Sequence, residues 1–372
     1  MNEPPIMDYV HVRGGFGHAG RMLRRRPCRI AYLGNSVTAQ RKGYRQLLHD
    51  LLVAKSGYSH HLINAGFSAT GSIGSLYTLA DFVLRHSPDI CFIECTTGDK
   101  GIKTPPEKIG PVLEGIVRQL IKQRCAPCNL HLYRHDQPFD DTDPIIEAYE
   151  ILLQHYRVPS INVGRLYEQH LTRQQRDALN FDGVHLSPDG AQWVADVLAK
   201  AVMQISSHAT AEVALPPPKY ADCYEFAALE PARLNMLAEA SSGRRARFRG
   251  IYPYVELAPD NAIEFQTDAG PIDGVMLIVG PASGFISVEA EGVRSEYLTW
   301  DPWCVYDRLQ AFIFERPVST NAAVRIATLD RPVPDPSANP NVPKLLRIAS
   351  FLVRRTSPSV QDRRRAMSES DG

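Results

Sequence analysis

The sequence predicts an α/β protein in two parts, a three-layer α/β/α domain around a five-stranded parallel sheet and then a smaller antiparallel β-sandwich. Two observations carry that prediction. Between Arg29 and Met203 short apolar or β-branched runs alternate with stretches of helical apolar periodicity, the pattern of a parallel sheet wrapped by helices. Beyond Pro216-Pro217-Pro218 the apolar runs are instead separated by Gly, Pro and Asp, as in antiparallel sandwiches. A chain of 372 residues with 44% hydrophobic content also exceeds the usual size of one core.

The first strand is Arg29-Ile30-Ala31-Tyr32-Leu33, followed by a helix with Tyr44, Leu47, Leu48, Leu51 and Leu52 on its apolar positions. His61-Leu62-Ile63-Asn64 is the second strand, leading to a helix that presents Ile73, Leu76, Tyr77 and Val83. Asp89 to Cys95 reads as a buried central strand. The helix after it shows Ile109, Val112, Leu113, Ile116, Val117 and Leu120 on one face. Leu130 to Tyr133 and Ser160 to Val163 complete the five strands, separated by a helix that starts after Pro144. The last helix opens on Ser187-Pro188, an N-cap with proline at the first helical position.

Residues 1–27 are expected to form an N-terminal flank, 28–210 the α/β domain, and 211–223 a proline-rich, semi-rigid linker. The sandwich is expected over 224–356, and the polar, basic residues 357–372 as a disordered tail. The N-terminus carries acidic residues and prolines where a signal peptide needs a basic start, and no stretch approaches the roughly 18 to 20 apolar residues of a membrane span. A cytoplasmic protein without a membrane partner is the expectation. Lys plus Arg (41) balances Asp plus Glu (41), and neither basic run, Arg24 to Arg26 or Arg363 to Arg365, interleaves aromatics, so no nucleic-acid partner is expected. Seven cysteines suit reduced thiols better than a disulfide framework. Cys125-Ala126-Pro127-Cys128 has the spacing of half a zinc site, but no second pair accompanies it, so two thiols before a strand and no metal are expected.

Chemistry concentrates at two places. The first strand ends in Gly34-Asn35-Ser36, which puts a serine at the carboxyl edge of the sheet, where open α/β sheets bind ligands. Its own backbone N–H can help to stabilise an oxyanion. Late in the domain comes Asp182-Gly183-Val184-His185; a serine needs a base to take its proton, and the base needs a carboxylate to orient its ring. Taken alone, Ser36 suits a helix cap better than a nucleophile, and the Asp182 to His185 stretch suits a surface loop at least as well as a catalytic pair.

With Asn64-Ala65-Gly66 after the second strand, these pieces in this order resemble the SGNH hydrolases, or GDSL-like esterases, over residues 29 to 203. The resemblance implies a flavodoxin-like three-layer domain, with Ser36 as nucleophile, His185 as base, Asp182 as its orienter and no cofactor. It further implies oxyanion donors at the backbone N–H groups of Ser36 and Gly66. One block departs: where the family usually has Gly-x-Asn-Asp, this chain has Thr96-Thr97-Gly98-Asp99. Asn35, Asn64, Thr97 and the backbone of Gly98 are the candidate replacements for the lost donor, unless Gly98 opens room for a bulkier acyl or sugar group.

Glu94, alone in an apolar strand, is expected to be structural and paired with an arginine. Arg134-His135-Asp136 follows the fourth strand on the Ser36 edge, with His135 a candidate substrate contact. In the second part, Tyr297 to Tyr306 holds two of the three tryptophans; core filling is the first expectation and sugar stacking the second. Pairing a sandwich with this domain is also seen in carbohydrate-active members of the family. The activity expected is hydrolysis of an O-acyl ester, for instance an acetyl group on a carbohydrate. The alternatives are O-acyl transfer in polysaccharide modification and a non-catalytic carbohydrate- or partner-binding protein.

Overall fold

The computed structural model describes residues 8–68, 70–137, 142–208, 215–220, 224–229, 235–238, 244–248, 252–259, 261–266, 270–319 and 322–356. The chain separates into two compact units, residues 1–223 and 224–372. The expected disordered tail, 357–372, lies outside the described residues.

The first unit is built on β1 (Val10–His11), α1 (Gly17–Leu23), β2 (Arg29–Gly34), α2 (Ser36–Ala39), α3 (Tyr44–Ser56), β3 (His61–Gly66), α4 (Gly71–Phe82), β4 (Ile90–Glu94) and α5 (Thr96–Ile102). It continues through α6 (Pro106–Lys122), β5 (Ala126–His131), α7 (Pro144–His155), β6 (Ser160–Asn162), α8 (Val163–His170), α9 (Arg173–Ala178) and α10 (Pro188–Ser207). Strands β2 to β6 pair in parallel in the order β6-β5-β4-β2-β3. That is the five-stranded parallel sheet of the sequence.

The N-terminal flank differs from expectation. Val10 and His11 pair antiparallel with Ile161 and Ser160, adding a sixth strand at the β6 edge, and α1 packs on α10. Two strand residues and a seven-residue helix are too short to show periodicity, so the sequence hides them.

The strands bury what their composition demands. All five residues of β4 are buried, as are Ile30, Ala31, Tyr32 and Leu33 of β2. On one face Ile30, Tyr32, Phe92, Leu130 and Ile161 meet Leu23 of α1, Leu48 and Leu52 of α3, and Val194, Leu198 and Val202 of α10. Helices α4, α6 and α7 pack side by side as the other outer layer. Helix ends are fixed by side chains: Asp143 accepts from the N–H of Ile145 at 2.9 Å, and the Ser187 hydroxyl from that of Gly190 at 3.1 Å. Cys125 and Cys128 are both buried, Cys128 inside β5, and burial pushes both thiols up, away from the thiolate form.

Residues 215–220 are not a free spacer. The buried Glu114 of α6 accepts from the backbone N–H groups of Lys219 (2.6 Å) and Tyr220 (2.9 Å), and Arg118 donates to the Pro216 carbonyl at 2.8 Å. Proline composition reports local stiffness, whereas tethering depends on a carboxylate about a hundred residues away.

The second unit comprises β7 (Tyr224–Leu229), β8 (Asn235–Ala238), β9 (Arg244–Phe248), β10 (Tyr252–Leu257), β11 (Ala262–Gln266), β12 (Ile272–Val279), β13 (Phe285–Ala290), β14 (Val293–Leu298), β15 (Arg308–Val318), β16 (Val324–Leu329) and β17 (Leu346–Thr356). They form two antiparallel sheets, one in the order β15-β12-β17-β10-β9 with β7 also on β17, the other β14-β13-β16-β11-β8. Val275, Ile348 and Phe351 of the first and Ile263, Phe265, Ile286 and Ile326 of the second share one core, which makes the unit a sandwich. The tryptophan cluster divides: Trp300 joins that core, while Trp303 and Tyr306 are about half exposed.

Replacing Glu114 with Ala removes both hydrogen bonds that it accepts from this segment, together with the one from the Tyr156 hydroxyl, each worth on the order of 1 kcal/mol or more. Limited trypsin digestion should then cut after Lys219 at least roughly tenfold faster than in the parent chain; an unchanged rate would show that Glu114 does not hold the segment.

Candidate active site

The carboxyl edge of the parallel sheet gathers the ends of β2, β3 and β4, and the loop before α10 joins them. Ser36 is the first residue of α2, directly after the Asn35 N-cap. Its Oγ lies 3.0 Å from His185 Nε2, and His185 Nδ1 lies 2.8 Å from Asp182 Oδ2. With the ring proton on Nδ1, that nitrogen donates to Asp182 and Nε2 is left to accept from the serine.

A tight turn holds the acid and the base. Asp182 Oδ1 accepts from the backbone N–H groups of Val184 and His185, both at 2.7 Å, and Phe181 N–H donates to the His185 carbonyl at 2.9 Å. Burial pushes the Asp182 carboxyl up, but the His185 and Val184 N–H groups and the His185 ring outweigh it and hold the acid below its usual range. Asp182 therefore stays ionised beside the ring; what it adds to stability is present above the ordinary carboxylate range and is lost as pH falls through its lowered value.

Three residues brace the triad residues from outside. Gln40, just past α2, donates from Nε2 to the Leu186 carbonyl at 3.1 Å and so ties the serine turn to the histidine loop. Arg134 grips Asp136 through Nε (2.9 Å) and a terminal nitrogen (2.6 Å), and donates to the Thr97 carbonyl at 3.2 Å. The Asp136 N–H donates to the Gly183 carbonyl at 2.9 Å, inside the acid–base turn. Arg134 and Asp136 stand in a segment singled out in the sequence, but their bridging role needs the fold; Gln40 carries no sequence signal.

Beneath the Ser36 turn lies Glu94, fully buried. Contrary to expectation its partner is no arginine. It accepts from the Thr97 hydroxyl and N–H, from the Thr38 hydroxyl at 3.0 Å and from the Asn35 N–H at 3.3 Å. Thr38 spends its only proton there, so the Tyr44 hydroxyl, 2.8 Å away, donates to Thr38. Burial pushes the Glu94 carboxyl up to about 7 against the pull of these donors.

The other expected contacts fall out differently. Gly66 packs against α2, where a Cβ would come within 2.5 Å of the Ala39 nitrogen, and its N–H donates to Asn64 Oδ1 at 3.0 Å. Each of these two groups thus occupies the other. Thr97 is buried, with its hydroxyl on Glu94. His135 has both ring nitrogens engaged, Nδ1 with the Tyr167 hydroxyl at 2.6 Å and Nε2 with Asp177 at 3.2 Å. Gly98, third in α5, opens no pocket for a substrate, because the Asn35 carboxamide fills the volume beside it.

A serine in the turn after a parallel strand, facing a histidine and a carboxylate on the loop before α10, is the arrangement that serine hydrolases use, here on an α/β/α fold. Residues 32–193 match the model of the GDSL-like Lipase/Acylhydrolase family, so the first unit carries a domain of that family. Among solved structures, the chain is similar to a two-domain esterase (CEX) active on acetylated mannans, co-crystallised with mannopentaose, at 14% identity and a TM-score of 0.72, covering 95% of this chain and 99% of that one. A second structure of a two-domain esterase (CEX) active on acetylated mannans matches at 14% identity and a TM-score of 0.68, over 94% and 99%. The two-domain fold is thus shared. A search of curated protein sequences finds no match. Among the described residues no helix is long and apolar enough to cross a membrane.

Because the folded-state value of Glu94 lies above the 4.5 of the free group, its contribution is complete below about pH 4.5 and is lost as pH rises through about 7. Thermal melting across that window should show the parent chain losing on the order of 3 kcal/mol relative to Glu94→Gln; parallel melting curves would remove Glu94 as the titrating group.

Proposed function

We propose that the protein is a serine esterase that hydrolyses O-acetyl esters on carbohydrate. The observation that carries this is the hydrogen-bonded line from Ser36 Oγ through His185 to Asp182, at 3.0 and 2.8 Å. Ser36 attacks the ester carbonyl as its proton passes to His185 Nε2; the imidazolium, steadied by ionised Asp182, returns that proton to the departing alcohol. Water, deprotonated by the same nitrogen, then releases acetate and frees Ser36. The Ser36 N–H is the oxyanion donor at the nucleophile itself; the Gly66 N–H is held by Asn64 Oδ1.

The carbohydrate assignment draws on two supports. The similar CEX structures are of an esterase active on acetylated mannans and share the two-unit fold. Phe181, next to Asp182 and 65% exposed, offers an aromatic face beside the triad, on a backbone pinned by its bond to the His185 carbonyl. Such a face suits the apolar side of a sugar ring. The assembled triad favours catalysis over a purely binding role.

Ser36→Ala should lower aryl acetate hydrolysis by roughly 1000-fold or more; undiminished turnover would reject the assignment. Acetate release from acetylated mannan and xylan compares the sugars directly. Phe181→Ala should raise KM about tenfold for acetylated oligosaccharide while leaving aryl acetate kcat unchanged; equal effects on both substrates would remove the ring from sugar binding.

A further inference from the structure

The glycine at 98 and the asparagine at 35 account for one another. A Cβ on Gly98 would lie 2.2 Å from Asn35 Oδ1, 2.4 Å from its Cγ and 2.5 Å from Nδ2. No side chain fits at 98 while Asn35 keeps its place.

The carboxamide is 2% exposed and its hydrogen-bonding capacity is spent. Oδ1 accepts from the Gly71 N–H at 2.8 Å and the Thr70 hydroxyl at 3.2 Å. Nδ2 donates to the main-chain carbonyls of Glu94 at 3.1 Å and Cys95 at 3.2 Å. The partners fix the amide's orientation, because the reversed group would set oxygen against two carbonyls and NH2 against an N–H. One side chain thus joins the β2 turn that bears Ser36, the N-terminus of α4 and the end of β4. Its own N–H, on Glu94, adds a further tie.

We propose that Asn35 is a positioning residue for the nucleophile: by locking these three segments together it aims the Ser36 hydroxyl and N–H, and an aspartate cannot stand in for its amide. The proposal rests on the esterase reading above. A carboxylate at 35 keeps the two acceptor contacts but loses both donations, and it sets a second anionic oxygen 3.1 to 3.2 Å from two carbonyls. Displacement of a reacting group by about 1 Å costs roughly 100-fold in rate.

The test compares aryl acetate kinetics and thermal melting for the full chain and for Asn35→Asp, Asn35→Ala, Gly98→Ala and the Asn35→Ala/Gly98→Ala double variant. Asn35→Asp is expected to stay folded at the assay temperature and to lose roughly 100-fold in kcat, with KM changed by less than about threefold. Gly98→Ala should lower kcat in the parent chain and have no further effect once Asn35 is Ala, since the clash is with the carboxamide. A folded Asn35→Asp with parental kcat overturns the proposal, as does an equal cost of Gly98→Ala in both backgrounds. Should Asn35→Asp not fold, the Gly98 comparison decides. Turnover in the parent chain that survives Ser36→Ala would overturn the esterase reading, and this proposal with it.

Discussion

The buried carboxylate of Glu94 is the constraint around which this site is arranged. A carboxyl group without water around it needs partners within the protein, and the donors that converge here come from the serine turn and from the first turn of α5. Meeting that need aligns the Asn35 to Thr38 segment with the end of β4. Asn35 reinforces the arrangement from above through the Glu94 and Cys95 carbonyls. Ser36 therefore sits on a scaffold whose polar groups are occupied by one another, with its Oγ directed at His185.

Much of this was legible in the chain. Alternating apolar runs gave the parallel sheet because buried strands and amphipathic helices leave opposite periodicities, and the break at the prolines marked where those periodicities change. The Asp182 to His185 turn was legible because acid and base are near neighbours in sequence. Ser36 was legible from its place after a strand. What stayed hidden depends on partners distant in sequence: Gln40 reaching Leu186, Arg134 gripping Asp136 beneath the triad turn, and Glu114 tying down the proline segment. The two-residue β1 was too short to leave a pattern.

The errors are informative in the same terms. By sequence, His135 is a candidate substrate contact and Thr97 a candidate replacement donor, since each follows a strand on the Ser36 edge, yet each is satisfied by the protein. Gly98 looked like an opening, and it is the floor under a carboxamide. A residue's position along a strand says which edge it occupies, whereas its hydrogen-bond balance decides whether it has anything left to offer a ligand. By that measure the Ser36 to His185 contact and the exposed side chain of Phe181 are the features of this edge on which the proposed function rests.

The central claim is that Ser36 is a nucleophile activated by His185. Treating the full chain with a fluorophosphonate and mapping the modified peptide by mass spectrometry tests it most directly. The account predicts one adduct per chain, on Ser36, forming in step with loss of esterase activity and much more slowly in His185→Ala. Activity lost with Ser36 unmodified, or an adduct that forms equally fast without the histidine, would contradict it.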